Sequence, residues 1–220
     1  LTSLTVKHSV NKDWWVKIPP CPKLQELEWN GGETLSQTTL PCPVGDSTTL
    51  SKMTIEVNTV DPDFQFPTQL TSLHLRVFFG SFDVTRLTPL TRLQELAVHI
   101  NKDNDPLNLS EMTTLTKLKA TRSLVSSLPT SLVECNITLQ SDADLSPLTC
   151  LTRLAVRLDS TVNVTLPTGL KQVFIKGHRF ESNFSDVPLE WFFVKWGWTL
   201  TQEDLEKLPK TLRRIVAWFE

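Results

Sequence analysis

The sequence lacks the features that mark several protein classes. Its 220 residues include no tyrosine and only seven glycines, and no apolar run approaches the ~20 residues of a membrane-spanning helix. No phosphate-binding glycine loop, GxSxG, HExxH or paired-carboxylate pattern occurs, so nothing in the sequence favours an enzyme. The net charge is −2, from 22 basic and 24 acidic residues, and gives no reason to expect nucleic acid as a partner.

Cysteines are also few. The four are Cys21, Cys42, Cys135 and Cys150, dispersed and without a CxxC pair, so we predict no zinc site and no other cofactor. This usage favours a reducing compartment, and we predict a cytoplasmic protein. A disulfide between Cys21 and Cys42 is the alternative.

Four Asn-x-Ser/Thr sequons support an extracellular alternative. They begin at Asn108, Asn136, Asn163 and Asn183. Serine and threonine are abundant enough for about two sequons to arise by chance, and Asn136 lies inside a predicted strand, which is a poor acceptor site. Glycosylation is therefore the less favoured interpretation.

What the sequence does contain is one repeated pattern. An apolar frame of the form LxxLxL recurs eleven times, with first positions 17 to 26 residues apart. The frames are Leu1/Leu4/Val6, Leu24/Leu27/Trp29, Leu50/Met53/Ile55, Leu70/Leu73/Leu75, Leu93/Leu96/Val98, Leu115/Leu118/Ala120, Leu132/Cys135/Ile137, Leu151/Leu154/Val156, Leu170/Val173/Ile175, Leu189/Phe192/Val194 and Leu212/Ile215/Ala217. Alternating apolar residues predict a short strand with one buried face in each unit.

The segments that lead into the frames have two forms. Some are of the type LPTSL, in which proline favours a turn or an extended return. Others carry apolar residues at i, i+3 and i+6, which predicts a short 3₁₀-like or helical return. No unit could bury its apolar face alone, but stacked units share a continuous core.

This pattern resembles leucine-rich repeat proteins over essentially the whole chain, and the LPTSL units resemble repeats of protozoan, amoeba-like members. The resemblance implies an α/β solenoid of about eleven repeats, with a curved parallel sheet on the concave face and turns, 3₁₀ or helical segments on the convex face. It also implies an asparagine eight residues after the first leucine, supplied here by Asn58 and Asn101.

The C-terminal part differs from the other units. We expect one domain over 1–220, with 189–220 as an aromatic-rich C-terminal repeat or cap. Thr201 and Asp204 have the spacing of a capping box, and Leu205 and Leu208 follow on one face, so a short helix is predicted there. Both ends interrupt the repeat, and we therefore expect a piece of a longer protein.

Two residue types invite a chemical interpretation. Cys135 occupies an inward frame position, so we predict a buried, unreactive thiol. His74 and His99 fall on neighbouring strands, but no acidic residue or cysteine is placed to complete a metal site, and we expect surface histidines.

Residues between the frame positions should point outward on the concave face. In the last four strands these are mainly cations, interleaved with Phe174, Phe193 and Trp218. Exposed aromatics beside cations are typical of protein interfaces, although an end cap would explain the same aromatics. The predicted partner-binding residues are Arg157, Phe174, Lys176, Phe193, Lys195 and Trp218, together with a mildly basic strip, His74, Arg76, His99 and Lys119, that also fits a generic solvated face.

The predicted function is a non-catalytic module that binds a protein partner, one with an acidic surface, through the concave face. Neither nucleic acid nor membrane insertion is expected. An extracellular recognition domain that binds glycans, and a regulatory or scaffold domain of a larger protein, are the alternatives.

Overall fold

One strand follows the first residue of every apolar frame, and these strands hydrogen-bond side by side in a single parallel sheet whose order is the chain order. The computed structural model describes residues 1–7, 21–31, 34–35, 48–79, 82–100, 107–120, 125–178, 180–195 and 201–218. The eleven strands are β1 (Ser3–Lys7), β2 (Glu26–Asn30), β4 (Lys52–Val57), β6 (Ser72–Val77), β7 (Glu95–Ile100), β9 (Lys117–Ala120), β11 (Glu134–Leu139), β13 (Arg153–Leu158), β15 (Gln172–Gly177), β17 (Trp191–Lys195) and β18 (Arg214–Trp218).

Short strands in the return segments also pair in parallel. They are β3 (Thr34–Leu35) with β5 (Thr59–Val60), β8 (Leu107–Asn108) with β10 (Val125–Ser127), and β12 (Ala143–Asp144) with β14 (Val162–Thr165) and β16 (Phe180–Glu181). Strands that pair in parallel on both the frame and the return side make the chain a parallel β-solenoid, as predicted.

The expected 3₁₀-like returns are present mainly as consecutive turns, in which, for example, the Leu148 and Leu151 N–H groups donate to the Leu145 and Leu148 carbonyls at 3.0 and 2.9 Å. Within the described ranges, the helical segments are one 3₁₀ turn, Val84–Leu87, and one α-helix, α1 (Gln202–Glu206). Most returns are turns and extended segments, because prolines and closely spaced serines and threonines favour them over a continued helix. The capping box that begins α1 is confirmed, since the Thr201 and Asp204 side chains each accept from the other residue's backbone N–H.

Frame residues of the inner units form the core, whereas Leu1 and Ile215, in the first and last units, are 68% and 43% exposed. Parallel register places Leu73, Leu96 and Leu118 in one row, and all three are buried. Burial of a leucine side chain contributes about 1.5–3 kcal/mol, so stacked rows supply most of the stabilisation. Cys135 is confirmed in this core, and burial raises its pKa to about 12, which keeps the thiol protonated.

In several of the described units a fourth inward position, which was not predicted, follows the frame. In five of the longer strands it holds a buried aliphatic residue: Val57, Val77, Ile100, Leu139 and Leu158. In β15 the position is Gly177, which has a φ of +106°.

Hydroxyl groups tie several turns to the one before them. The Thr114 Oγ1 donates to the Leu93 carbonyl at 2.9 Å, and the Ser131 Oγ donates to the Leu115 carbonyl at 2.7 Å. Equivalent bonds run from Thr49 to Leu24 and from Thr211 to Leu189, and a second set runs from Thr71, Thr116 and Thr152. These bonds account for the serine and threonine content. The asparagine ladder implied by the resemblance is not seen in the described residues, where the Asn58 side chain makes no hydrogen bond; Asn101 lies outside them.

Candidate functional site

Three columns of side chains cover the outer face of the eleven-stranded sheet, the face predicted above to be concave. Strand alternation turns these residues away from the core. The first column contains the residue just before the second frame position, the second column the residue between the last two frame positions, and the third column the residue after the frame. From β6 to β17 the second column reads His74, Ala97, Lys119, Asn136, Ala155, Phe174 and Phe193.

Charges in the first column are largely paired between neighbouring strands. The Lys117 Nζ lies 2.7 Å from the Glu95 Oε1, and the Arg153 guanidinium contacts the Glu134 carboxylate. At the other end of the sheet, the Lys52 Nζ lies 3.0 Å from the Glu26 Oε1. Exposed pairs of this kind contribute little stability, but they remove the net charge of the column.

The third column is less evenly balanced. The Arg76 guanidinium lies 3.7 Å from the Glu56 carboxylate, and the Arg157 Nε lies 3.3 Å from the Asp159 Oδ1. Lys176 and Lys195 then stand in register on adjacent strands, without an acidic residue between them in the column. The Arg157 charge is therefore paired within its own turn, and Lys176 and Lys195 place two cationic side chains next to each other.

Four aromatic side chains form the aromatic patch: Phe174, Trp191, Phe193 and Trp218. The Phe174 and Phe193 rings stack, with centroids 4.4 Å apart and planes 14° from parallel. Trp191 and Trp218 are 45% and 59% exposed, respectively, so the two tryptophans present the larger apolar area to solvent.

Each tryptophan of the patch has a cation directly opposite on the neighbouring strand. The Arg214 guanidinium lies 5.1 Å from the Trp191 ring centroid, and the Lys195 Nζ lies 5.8 Å from the Trp218 ring centroid. Cation–π contacts of this geometry hold the side chains in place without removing the charge from solvent. The patch thus combines rigid rings with accessible positive charge.

A groove runs along the first and second columns from β6 to β17, with a volume of about 590 Å³. Its floor is low where the second column holds Ala97 and Ala155, and it rises at one end to the stacked phenylalanines and Trp191. The depression forms because small side chains lie between larger ones: Ala97 is in register with Lys119, and Ala155 is in register with Phe174.

The opposite end of the groove is polar. The pKa of His74 lies below its usual value, chiefly because burial disfavours the charged imidazolium; Glu56 opposes this shift, and Lys119 and Arg76 add to it. His74 is therefore neutral at pH 7, and Lys119 supplies the positive charge. In the described part of the chain no carboxylate lies within ion-pairing distance of Lys119.

The predicted binding residues thus divide into two groups. His74, Lys119, Phe174 and Phe193 line the groove, whereas Arg76, His99, Arg157, Lys176, Lys195 and Trp218 lie in the third column outside it. Trp191 was missed, although its place two residues after Leu189 marks an outward position. Parallel register sets His99 opposite Arg76 rather than His74, and the described residues contain no group of three or more potential metal ligands.

Two of the four sequons have a structural explanation. The Asn108 Oδ1 accepts from the Ser110 N–H at 3.1 Å, and the Asn183 Oδ1 accepts from the Ser185 N–H at 3.0 Å. Asp83 and Asp144 make the same turn with Thr85 and Ser146. The Asn-x-Ser pattern here is therefore one version of a recurring turn that aspartate also forms.

The other two sequons lie on strands. Asn136 is half-buried in the groove and Thr138 is 5% exposed, whereas the Asn163 side chain donates to the Asp142 carboxylate at 3.2 Å. Cys150 is exposed, and the proposed Cys21–Cys42 pairing lies outside the described residues because it needs Cys42.

Comparison with known proteins adds no further identification. No model of a known protein family matches the chain, and no curated protein matches it either. In the part of the chain that the structure describes, no helix has the length and apolarity that a membrane crossing requires.

Proposed function

We propose that this protein is a non-catalytic interaction module of the leucine-rich repeat type, which binds a protein partner through the outer face of its sheet. Support for the repeat type comes from the LxxLxL frames, each of which supplies inward residues to a strand of one parallel sheet. The α-helical content of the described residues is low for that type, so the proposed class rests on the frames.

The observation that carries the binding role is the aromatic patch at the end of the groove. Large rings held by stacking and by cations lose little side-chain entropy when a partner covers them, which is the property of interface anchors. The patch also opens into a continuous depression, so an anchored partner has room to extend along the sheet.

Affinity capture followed by quantitative mass spectrometry tests this proposal. We expect the Phe174→Ala/Phe193→Ala variant to lose the specific partners of the wild-type protein, with at least ~30-fold weaker binding, since truncation of anchor residues costs about 2 kcal/mol or more. Trp191→Ala should lose the same partners.

Phe79→Ala is the matched control. Phe79 is 63% exposed and lies beyond the end of β6, outside the aromatic patch, so its truncation should leave the partner set unchanged. Circular dichroism spectra must agree among all variants. If the wild type and the Phe174→Ala/Phe193→Ala variant capture the same partners, the aromatic patch is not part of the binding site.

A further inference from the structure

The groove has the dimensions of an extended peptide that crosses the strands. Seven strands, β6 to β17, contribute to it, and at ~4.8 Å between strands its length is about 29 Å. An extended chain advances ~3.3 Å per residue, so about nine residues would fill it. The low floor at Ala97 and Ala155 leaves room for a backbone between the two raised ends.

Two regions of the groove differ in chemistry. Lys119, on β9, is exposed and is not ion-paired among the described residues, while the Glu95–Lys117 and Glu134–Arg153 pairs leave the adjoining wall without net charge. No acidic residue stands in the second column between β6 and β17. The other region presents the stacked rings of Phe174 and Phe193.

The separation of Lys119 from the stacked rings sets a spacing in the occupant. Lys119 and Phe174 are three strand spacings apart, which is about 14 Å or about four residues of extended chain. We propose that the groove binds an extended protein segment in which an aspartate or glutamate, held at Lys119, lies about four residues from a bulky apolar side chain, held at the aromatic patch. This inference rests on the proposed function and specifies the partner.

The geometry favours an acidic peptide over a single-stranded nucleic acid. The rings of Phe174 and Phe193 are already in stacking contact, so no base can insert between them. Glu95 and Glu134 already pair with Lys117 and Arg153, so among the described groove residues Lys119 is left to offer a charge, which suits one carboxylate and not a phosphate at each nucleotide.

Selection from a displayed library of random peptides tests the inference. Peptides of about twelve residues exceed the groove length, and they are selected on the full chain. We expect enrichment of Asp or Glu about four positions from Phe, Trp or Leu. Synthetic peptides of the selected sequences should bind Lys119→Glu about fivefold more weakly than wild type. The substitution removes an exposed ion pair and replaces it with repulsion between two carboxylates. A peptide with Lys in place of the acidic residue should bind Lys119→Glu better than it binds wild type.

Lys210→Glu, a charge reversal at an exposed lysine of a turn, is the control and should bind as wild type does. If the selected peptides lose affinity for Phe174→Ala/Phe193→Ala but bind Lys119→Glu as tightly as wild type, the predicted acidic residue is wrong and the proposed function stands. Peptides that bind Phe174→Ala/Phe193→Ala as well as wild type would contradict the proposed site itself. A selection without enrichment, or tighter binding of a single-stranded thymidine oligonucleotide than of any selected peptide, would also overturn the inference.

Discussion

Cys150 stands where the neighbouring turns place a hydroxyl that donates to the preceding turn. Thr114 and Ser131 occupy the equivalent positions and bond the carbonyls of Leu93 and Leu115. We therefore expect Cys150→Ser to bond the Leu132 carbonyl and to raise the free energy of unfolding by about 0.5–1 kcal/mol, measured by urea denaturation. Cys150→Ala lacks the donor and is the control. Equal stability of the serine and alanine variants would contradict the hydroxyl ladder at this position.

Two described units have glycine at the fourth inward position, Gly31 and Gly177, and it is Gly177 that has a positive φ. Its φ of +106° disfavours any side chain, and a Cβ built there would lie 2.1 Å from the Leu158 carbonyl oxygen. Gly177→Ala should therefore lower the free energy of unfolding by about 1–3 kcal/mol, or more if β15 moves away from β13. The midpoint of chemical denaturation measures the loss. Lys176→Ala, at the adjacent outward position, should change the midpoint little, and an unchanged midpoint in Gly177→Ala would show that the backbone relaxes without cost.

At the scale of the element, the features that can be predicted from the sequence are those that depend on residues close together in the chain. Inward frame positions such as Leu73 and Leu75 are buried as expected, because period-two alternation alone decides which face a residue occupies. The Thr201–Asp204 capping box was equally predictable, since donor and acceptor are three residues apart. Aspartate and asparagine turns such as those at Asp144 and Asn183 also had a local signal, the D/N-x-S/T pattern, which we interpreted only as a sequon.

The candidate site was less predictable, because it depends on which residues stand opposite each other across strands. Units of 17 to 26 residues do not fix that register from the sequence alone. The stacking of Phe174 on Phe193 and the pairing of Arg76 with Glu56 are therefore structural findings. The groove depends on the same register, since Ala97 and Ala155 form a depression only when larger second-column residues flank them.

At the scale of the molecule, the strand order makes stability a property of neighbouring turns. Each strand of the large sheet pairs only with the preceding and the following strand of that sheet. In such a solenoid the stability is approximately a sum of unit terms and nearest-neighbour interfaces. β9, for example, stands in register with β7 on one side and with β11 on the other.

We expect the solenoid to separate at β9 when its core is weakened. Leu118→Ala should leave a cavity under β9 and lower stability by about 2–5 kcal/mol. Unfolding in urea should then broaden or divide into two steps, and hydrogen exchange should accelerate first in β7, β9 and β11. Leu154→Ala in β13 is the matched comparison, and it should instead accelerate exchange first in β11, β13 and β15.

The same break would reach the binding surface. Lys119 lies on β9, and the aromatic patch begins at β15. An opening of the sheet at β9 therefore moves Lys119 relative to the aromatic patch. Leu118→Ala should therefore weaken the binding of the selected peptides under conditions where the protein is still folded, although no side chain of the binding surface has changed. A peptide shortened to its apolar part should bind Leu118→Ala and wild type with equal affinity, because its contacts lie on β15 and β17. Equal weakening of both peptides would show that the solenoid responds as one cooperative unit.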